Sequence, residues 1–281
     1  MLPISLLTDY GYDDEFVGVV HGVIARIAPD VRVIDVTHGI PRGDIRAGAL
    51  ALLRAVQYLP NGVALAVVDP GVGTTRRAIA VRCEWGMFVG PDNGLLAPAV
   101  AIVGGADLVV SIEDPRFRLP AHGATFDGRD VFAPAAAVLA SGEAEITDLG
   151  PAVAGESVTP MMLPLVEIEA GSVRGEVLWV DHFGNVETNV TPQDMAGVGA
   201  GVGDDVVMVV GAFEQQLTWV AAYGDVTPGS GLVHVDSHGQ MAVAVREGRA
   251  DEAYPLGPGV AVTFRATGAT PIRVQGVDAA E

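Results

Sequence analysis

The chain contains no lysine; all 16 of its Lys+Arg residues are arginine. That excludes a Schiff-base nucleophile, a pyridoxal-phosphate linkage and a P-loop lysine. It has one cysteine, Cys83, among 281 residues. No internal disulfide, cysteine zinc cluster or CxxC redox pair can be built from it. Cations are scarce against 35 Asp+Glu, and the formal net charge is −19. With no basic run, this balance argues against a nucleic-acid partner and against an anionic membrane surface. It tolerates a cationic small ligand without selecting one. Long apolar runs are missing too, since no stretch approaches the ~18 residues that span a bilayer. The N-terminal MLPISLLTDY has no basic segment and breaks at Thr8-Asp9, so no signal peptide is expected. The expectation is a cytoplasmic protein.

Apolar residues make up 49% of the chain, enough for a packed core. The first half alternates strand and helix patterns. Pro3–Thr8, Val31–Thr37, Gly62–Val68, Arg77–Cys83, Met87–Val89 and Leu108–Ile112 read as strands. Helical spacing marks Glu15–Ala28, Asp44–Leu59 and Asp130–Ala140. This predicts an α/β domain over 1–157, with a mostly parallel sheet between helices. Pro, Gly, Ser and Thr then accumulate, marking a linker over about 158–164. The remainder, 165–281, carries short strands between turns, at Val166–Ala170, Ser172–Val180, Val206–Val210, Gln216–Val220, Leu232–Asp236, Met241–Arg246, Val260–Arg265 and Ile272–Gln275. One helix is expected there, Thr191–Gly197, with Thr191 as N-cap and Pro192 at its first position. This predicts a barrel-like all-β domain.

Open parallel sheets bind ligands at the carboxyl ends of their strands. Three predicted strands end in Asp9, His38 and Asp69. Singly these are ordinary turn residues; together they mark a candidate site. After Asp69 comes Pro70-Gly71-Val72-Gly73-Thr74-Thr75-Arg76-Arg77, a loop that can pair the carboxylate with a guanidinium. It lacks the features of a phosphate loop. A second cluster is Thr125-Phe126-Asp127-Gly128-Arg129-Asp130, just before a helix; its residues serve equally as a helix cap. Two more lie in the β half: Asp181-His182-Phe183-Gly184-Asn185, with Asn189 nearby, and Asp236-Ser237-His238-Gly239. Either can be only a β-turn. The six histidines show no HxH or HExxH spacing, so no metal is expected, and His21 reads as structural. No GxSxG elbow is present.

Seven ordered motifs then point one way. They are Leu7-Thr8-Asp9-Tyr10-Gly11, Thr37-His38-Gly39-Ile40, Val68 to Thr74, Pro91 to Leu96, Thr125-Phe126 with Gly128-Arg129-Asp130, Asp181 with Phe183-Gly184-Asn185, and Ser237 with Gly239. In this order the chain resembles the S-adenosyl-L-methionine hydroxide adenosyltransferases, relatives of the fluorinase and chlorinase. The resemblance implies attack of water or hydroxide on C5′ of S-adenosylmethionine, giving adenosine and methionine. It implies no cofactor, a small-molecule substrate and a homotrimer whose sites lie between domains of neighbouring subunits. By the same resemblance, Asp69 and Arg76 belong to an Asp-Arg-His set that handles the nucleophilic water. Asp9 matches a grip on the ribose, and Asp14 an acid near the methionine ammonium. Phe126 and Gly128 match the surroundings of C5′. Asp181 and Ser237 match methionine contacts, while Phe183, Asn185 and the backbone of Arg246 and Glu247 match adenine contacts.

Two departures stand out. Asp127 occupies the place where the family commonly has His. A carboxylate there can act as a base on water, or repel developing hydroxide and weaken catalysis. His122 lies a few residues upstream and is not expected to substitute. His238 precedes Gly239, where the family often has an aromatic residue or arginine, so it is the candidate for the methionine carboxylate end. Two rival readings follow. A chlorinase-like halogenase disagrees with Asp69, because a carboxylate repels an anionic nucleophile. A catalytically weakened binder of adenosyl compounds is motivated by Asp127.

Overall fold

Alternation of apolar strands and helices in the first half produces a six-stranded sheet. The computed structural model describes residues 1–121 and 123–267. The expected strand Ile272–Gln275 and His122 lie outside the described residues. Two compact units divide at Met162/Leu163.

In the first unit, β1 (Ile4–Thr8), β2 (Val33–Thr37), β3 (Val63–Val67), β4 (Ala78–Cys83), β5 (Gly86–Pro91) and β6 (Leu108–Ser111) lie in the order β2-β1-β3-β5-β4-β6. β1 pairs in parallel with β2 and β3, and β3 with β5. β4 is antiparallel to β5 and β6, so it alone runs against the rest. The predicted mostly parallel sheet is therefore present. β1 and β3 are buried along their whole length; β3 is an unbroken apolar run, and β1 interrupts its apolar residues only with the small polar Ser5 and Thr8.

Helix α1 (Phe16–Ile27) packs on α4 (Ala133–Ser141), and α2 (Ile45–Val56) on α3 (Ala97–Ile102). α1 buries Val17, Val20, Val23 and Ile24, one stripe of a 3.6-residue period. α2 starts at Asp44, whose side chain accepts from Ala47 N at 2.9 Å. α4 is alanine-rich and buried from Ala133 to Ala140, because small side chains let it sit deep against the sheet. The helix α3 was not expected: Ala97-Pro98-Ala99 offers only one turn and a half of pattern, and Pro98 looks like a breaker until it is placed in the first turn. The chain leaves β1 for β2 on one side and crosses to β3 on the other. The switch point thus lies between the carboxyl ends of β1 and β3, where Asp9 and Asp69 follow.

The second unit holds β7 (Glu167–Glu169), β8 (Ser172–Val180), β9 (Val186–Thr188), β10 (Asp205–Val210), β11 (Phe213–Trp219), β12 (Gly231–Val235), β13 (Met241–Val245) and β14 (Ala261–Ala266). Pairing runs β14-β10-β11-β12-β13-β9-β8, and β14 pairs back onto β8. Seven strands therefore close a barrel, with β7 added outside it. Only β11–β12 is parallel. β10 alternates cleanly, with Val206, Met208 and Val210 buried. β9 escapes sequence reading because three residues between turns show no period.

Helix α5 (Pro192–Gly197) begins as expected. Thr191 Oγ1 accepts from Asp194 N at 3.2 Å, and Asp194 Oδ2 accepts from Thr191 N at 2.8 Å. This reciprocal pair satisfies two otherwise orphaned donors. Thr191→Ala is expected to cost about 1 kcal/mol. Urea unfolding checks this; an unchanged midpoint would show that the cap contributes nothing. Among the described residues, no helix is long and apolar enough to cross a membrane.

Candidate active site

Asp69 leaves β3 through a tight loop. Thr74 Oγ1 donates to Gly71 O at 2.7 Å, which turns the chain back on itself. Asn93 Nδ2 donates to Val68 O at 2.8 Å and braces the end of the strand. The loop's two arginines then diverge. Arg77 binds Asp92 (Nε to Oδ2 2.7 Å) and Ser157 (Nη1 to Oγ 3.0 Å), and so is structural. Arg76 turns inward to Asp69, with Nε 3.0 and 2.9 Å from its two oxygens and Nη2 also donating to Oδ2. The same Nη2 reaches Asp127 Oδ2 at 2.5 Å.

One guanidinium therefore bridges two carboxylates, Asp69 in its own loop and Asp127, 51 residues beyond Arg76. The Asp69 side chain is 5% exposed, Arg76 12% and Asp127 21%. Burial pulls the Arg76 pKa down, but Asp69 and then Asp127 outweigh it and raise it. Arg76 thus stays charged, and the three groups together carry one negative charge. The guanidinium also sits 5.2 Å from the centre of the Phe132 ring.

Asp127 and Gly128 enter a wide helical turn, Gly128–Phe132, that runs into α4. Such turns often mark functional positions. In the same turn Asp130 is buried and held by Arg129 (2.6 and 2.8 Å), a structural pair. Phe126, Tyr10 and Phe16 form an aromatic wall, with ring centres 5.0 to 5.8 Å apart. The half-closed pocket they border is about 150 Å³, lined by Asp9, Tyr10, Phe16, Asp69, Phe126, Asp127 and Gly128 among others. Asp9 Oδ2 accepts from Gly43 N at 2.8 Å, which fixes that carboxylate.

Tyr10 was missed by sequence reasoning, although it lies inside the first motif. Burial raises its pKa far above 10, helped by Asp9, Asp69 and Asp127. The phenol therefore remains a hydrogen-bond donor through the physiological range. Asp14 is exposed and is not among the residues lining this pocket. His38, the third polar strand end, is buried beside Thr8 and does not line it either.

The barrel unit has its own hollows. One of about 360 Å³ is lined by Asp181, Asn185, Glu187, Tyr223, His234 and Ser237 among others. An adjoining one of about 780 Å³ shares Asp181, Asn185 and Tyr223 and adds Phe183, Arg246 and Glu247. Asp181 organises its turn: Oδ1 accepts from Phe183 N (2.8 Å) and Asn185 N (2.9 Å), and Oδ2 from Asn185 Nδ2 (2.8 Å). That leaves Phe183 71% exposed, an aromatic face open to a ligand. Glu247 has φ 56°, a left-handed backbone uncommon outside glycine and worth about 1–2 kcal/mol of strain. Arg246 Nη1 donates to Val226 O at 2.5 Å, steadying this loop. Tyr223 and Glu187 were missed, since neither sits in a recognisable spacing. His238 is exposed, its Nδ1 3.9 Å from Asp236 Oδ2, and does not line either hollow. Asn189 is structural, accepting from Glu176 N at 2.7 Å.

An α/β unit whose acid–arginine–acid bridge borders a pocket, and a closed barrel with an acidic and aromatic hollow, define a two-domain protein of the α/β-plus-barrel class. The particular family follows from comparison. The model for the SAM hydroxide adenosyltransferase N-terminal domain matches residues 4–150, and that for the C-terminal domain residues 175–263. The chain belongs to this family. It is 49% identical over 256 residues to an (R)-S-adenosyl-L-methionine hydrolase of Salinispora tropica, covering 91% of this chain and 95% of that protein. A protein of the same name from Thermus thermophilus is 41% identical over 270 residues, with 93% and 99% covered. A fluorinase of an Actinoplanes species is more distant, at 24% over 288 residues, with 92% and 96% covered. Among solved structures, an uncharacterized conserved protein from Thermotoga maritima superposes with a TM-score of 0.86 at 34% identity, with 93% and 99% covered.

Proposed function

We propose that this protein hydrolyses S-adenosyl-L-methionine to adenosine and L-methionine, acting on the (R) sulfonium epimer named for its relatives. Water oxygen forms a bond to C5′ as the C5′–S bond breaks. The bonding pair goes to sulfur, which leaves as a neutral thioether, and water gives up its proton. The leaving group needs no acid, and no lysine or cofactor is required. What the protein must supply is alignment and a dry pocket.

The observation that carries this reading is the Arg76 bridge between Asp69 and Asp127, whose two carboxylates line the same pocket as Asp9, Phe126 and Gly128. In the proposed roles, Asp69 and Arg76 hold the water and Asp127 accepts its proton. Asp9 grips the ribose, while Phe126 and Gly128 frame C5′. The net negative charge of the bridge attracts the sulfonium. Asp181 and Ser237 serve the methionine portion. Phe183, Asn185 and the Arg246–Glu247 backbone serve adenine. Asp14 and His238, away from both linings, have at most a part at the ammonium and carboxylate of methionine. The acting form is proposed to be a cytoplasmic homotrimer.

Incubation of each epimer in heavy-oxygen water tests the reaction. Labelled adenosine from the (R) epimer is expected. Unlabelled adenosine would rule out attack by solvent. 5′-Chloro-5′-deoxyadenosine in chloride would indicate a halogenase instead. Tight binding without adenosine would indicate a binder, with Asp127 locked against Arg76.

A further inference from the structure

A second polar cluster lies outside both linings. His21 projects from α1, Asp35 from β2, and His38 follows β2. We propose that these three side chains bind one divalent transition-metal ion, with Zn²⁺ the best fit. Asp35 Oδ1 is the centre, 2.8 Å from His21 Nε2 and 3.1 Å from His38 Nε2. The three donor atoms all lie within 4.8 Å of one another. A tetrahedral zinc site, with bonds near 2.0–2.1 Å, sets its donors roughly 3.3 Å apart. The two Asp35 contacts therefore need to open by only about half an ångström or less to reach that spacing.

The second observation is His38 itself. Its side chain is 0% exposed, and Nε2 makes no hydrogen bond, because its approach to Asp35 is short but misdirected. A buried ring nitrogen without a partner is costly, and a cation supplies one. The other ring nitrogen is held, with Nδ1 2.8 Å from Thr8 Oγ1. That is the outer-shell contact that fixes the orientation of a ligating imidazole. His21 and Asp35 are 35% and 37% exposed, which leaves an entry path and room for water as a fourth ligand. Two imidazoles and one carboxylate suit zinc, nickel or copper better than calcium or magnesium.

The sequence gives no such hint, because His21 and His38 are too far apart for any ligand motif and meet only around Asp35 in the folded chain. An ion here ties that helix to the sheet. Through Thr8 it steadies the end of β1, one residue before Asp9. The inference does not depend on the reaction proposed above.

Tag-free, chelator-stripped protein titrated with Co²⁺ in the visible, then with Zn²⁺ by calorimetry, provides the test. One ion per chain is expected, with the intense bands of tetrahedral cobalt, displaced by zinc. His21→Gln, at a half-exposed position, should fold and bind at least tenfold more weakly. Thr8→Val should weaken binding about 10–100-fold. His238→Gln should bind as the parent does. Absence of saturable binding overturns the proposal. So does unchanged affinity in His21→Gln or loss in His238→Gln, since either puts the ion elsewhere.

Discussion

Arg76→Ala is expected to lower turnover of S-adenosylmethionine about 10²–10³-fold, with substrate affinity changed far less. Among the described residues, Arg76 is the one cation between Asp69 and Asp127, contacting both through the same Nη2. Its removal leaves two carboxylates facing each other in a half-closed pocket, and the water loses the charge that orders it. Affinity suffers little because the ribose, adenine and methionine contacts proposed for Asp9 and the barrel residues are untouched. Stability falls as well. Removing one partner of a mostly buried ion pair costs about 3 kcal/mol. Arg76→Lys should be intermediate, since it restores the charge but not the fork that meets Asp69 through Nε and Nη2 together. Steady-state kinetics beside urea unfolding separate the two losses. Wild-type kcat in a folded Arg76→Ala protein would remove the bridge from the mechanism.

The two halves of this site differed in how legible they were. Asp69 and Arg76 are close in the chain, and a strand end followed by Pro-Gly and arginine already suggests a returning loop. Local chemistry was enough. Asp127 is 51 residues beyond Arg76, and only the order of the motifs, not any spacing rule, placed it with them. The parallel sheet was readable because β1 and β3 are short, mostly apolar runs alternating with helical patterns. The barrel's closure by β14 on β8 was not, because strand order depends on long-range pairing that period-2 patterns do not encode. Tyr223 and Glu187 line the barrel hollow from a turn and a three-residue strand, neither of which carries a local signal. Tyr10 was hidden differently. As an aromatic residue after a strand it reads as packing, and only its position over Gly128 shows that it shapes the pocket.

That contact gives the second large effect. Gly128→Ala is expected to lower turnover about 10²-fold and to destabilise the fold by about 2 kcal/mol. A Cβ at Gly128 would stand 2.1 Å from the Tyr10 hydroxyl, 3.1 Å from Tyr10 Cζ and 3.3 Å from Phe126 Cε2. Gly128 opens the wide helical turn without a positive φ, so alanine meets no left-handed strain and the penalty is steric. Tyr10 cannot simply swing aside, because its ring centre is 5.8 Å from both Phe16 and Phe126. The aromatic wall must shift by about an ångström, and the water and C5′ positions shift with it. Tyr10→Phe deletes the atom in the worst clash, so the double variant should recover most of the lost activity and stability, while Tyr10→Phe alone costs little. The remaining contacts, at 3.1 and 3.3 Å, need a neighbour to give by only a few tenths of an ångström. The coupling between the two sites should then exceed about 1 kcal/mol in a double-mutant cycle. A double variant no better than Gly128→Ala would mean that the glycine is needed for something other than room for the Tyr10 hydroxyl.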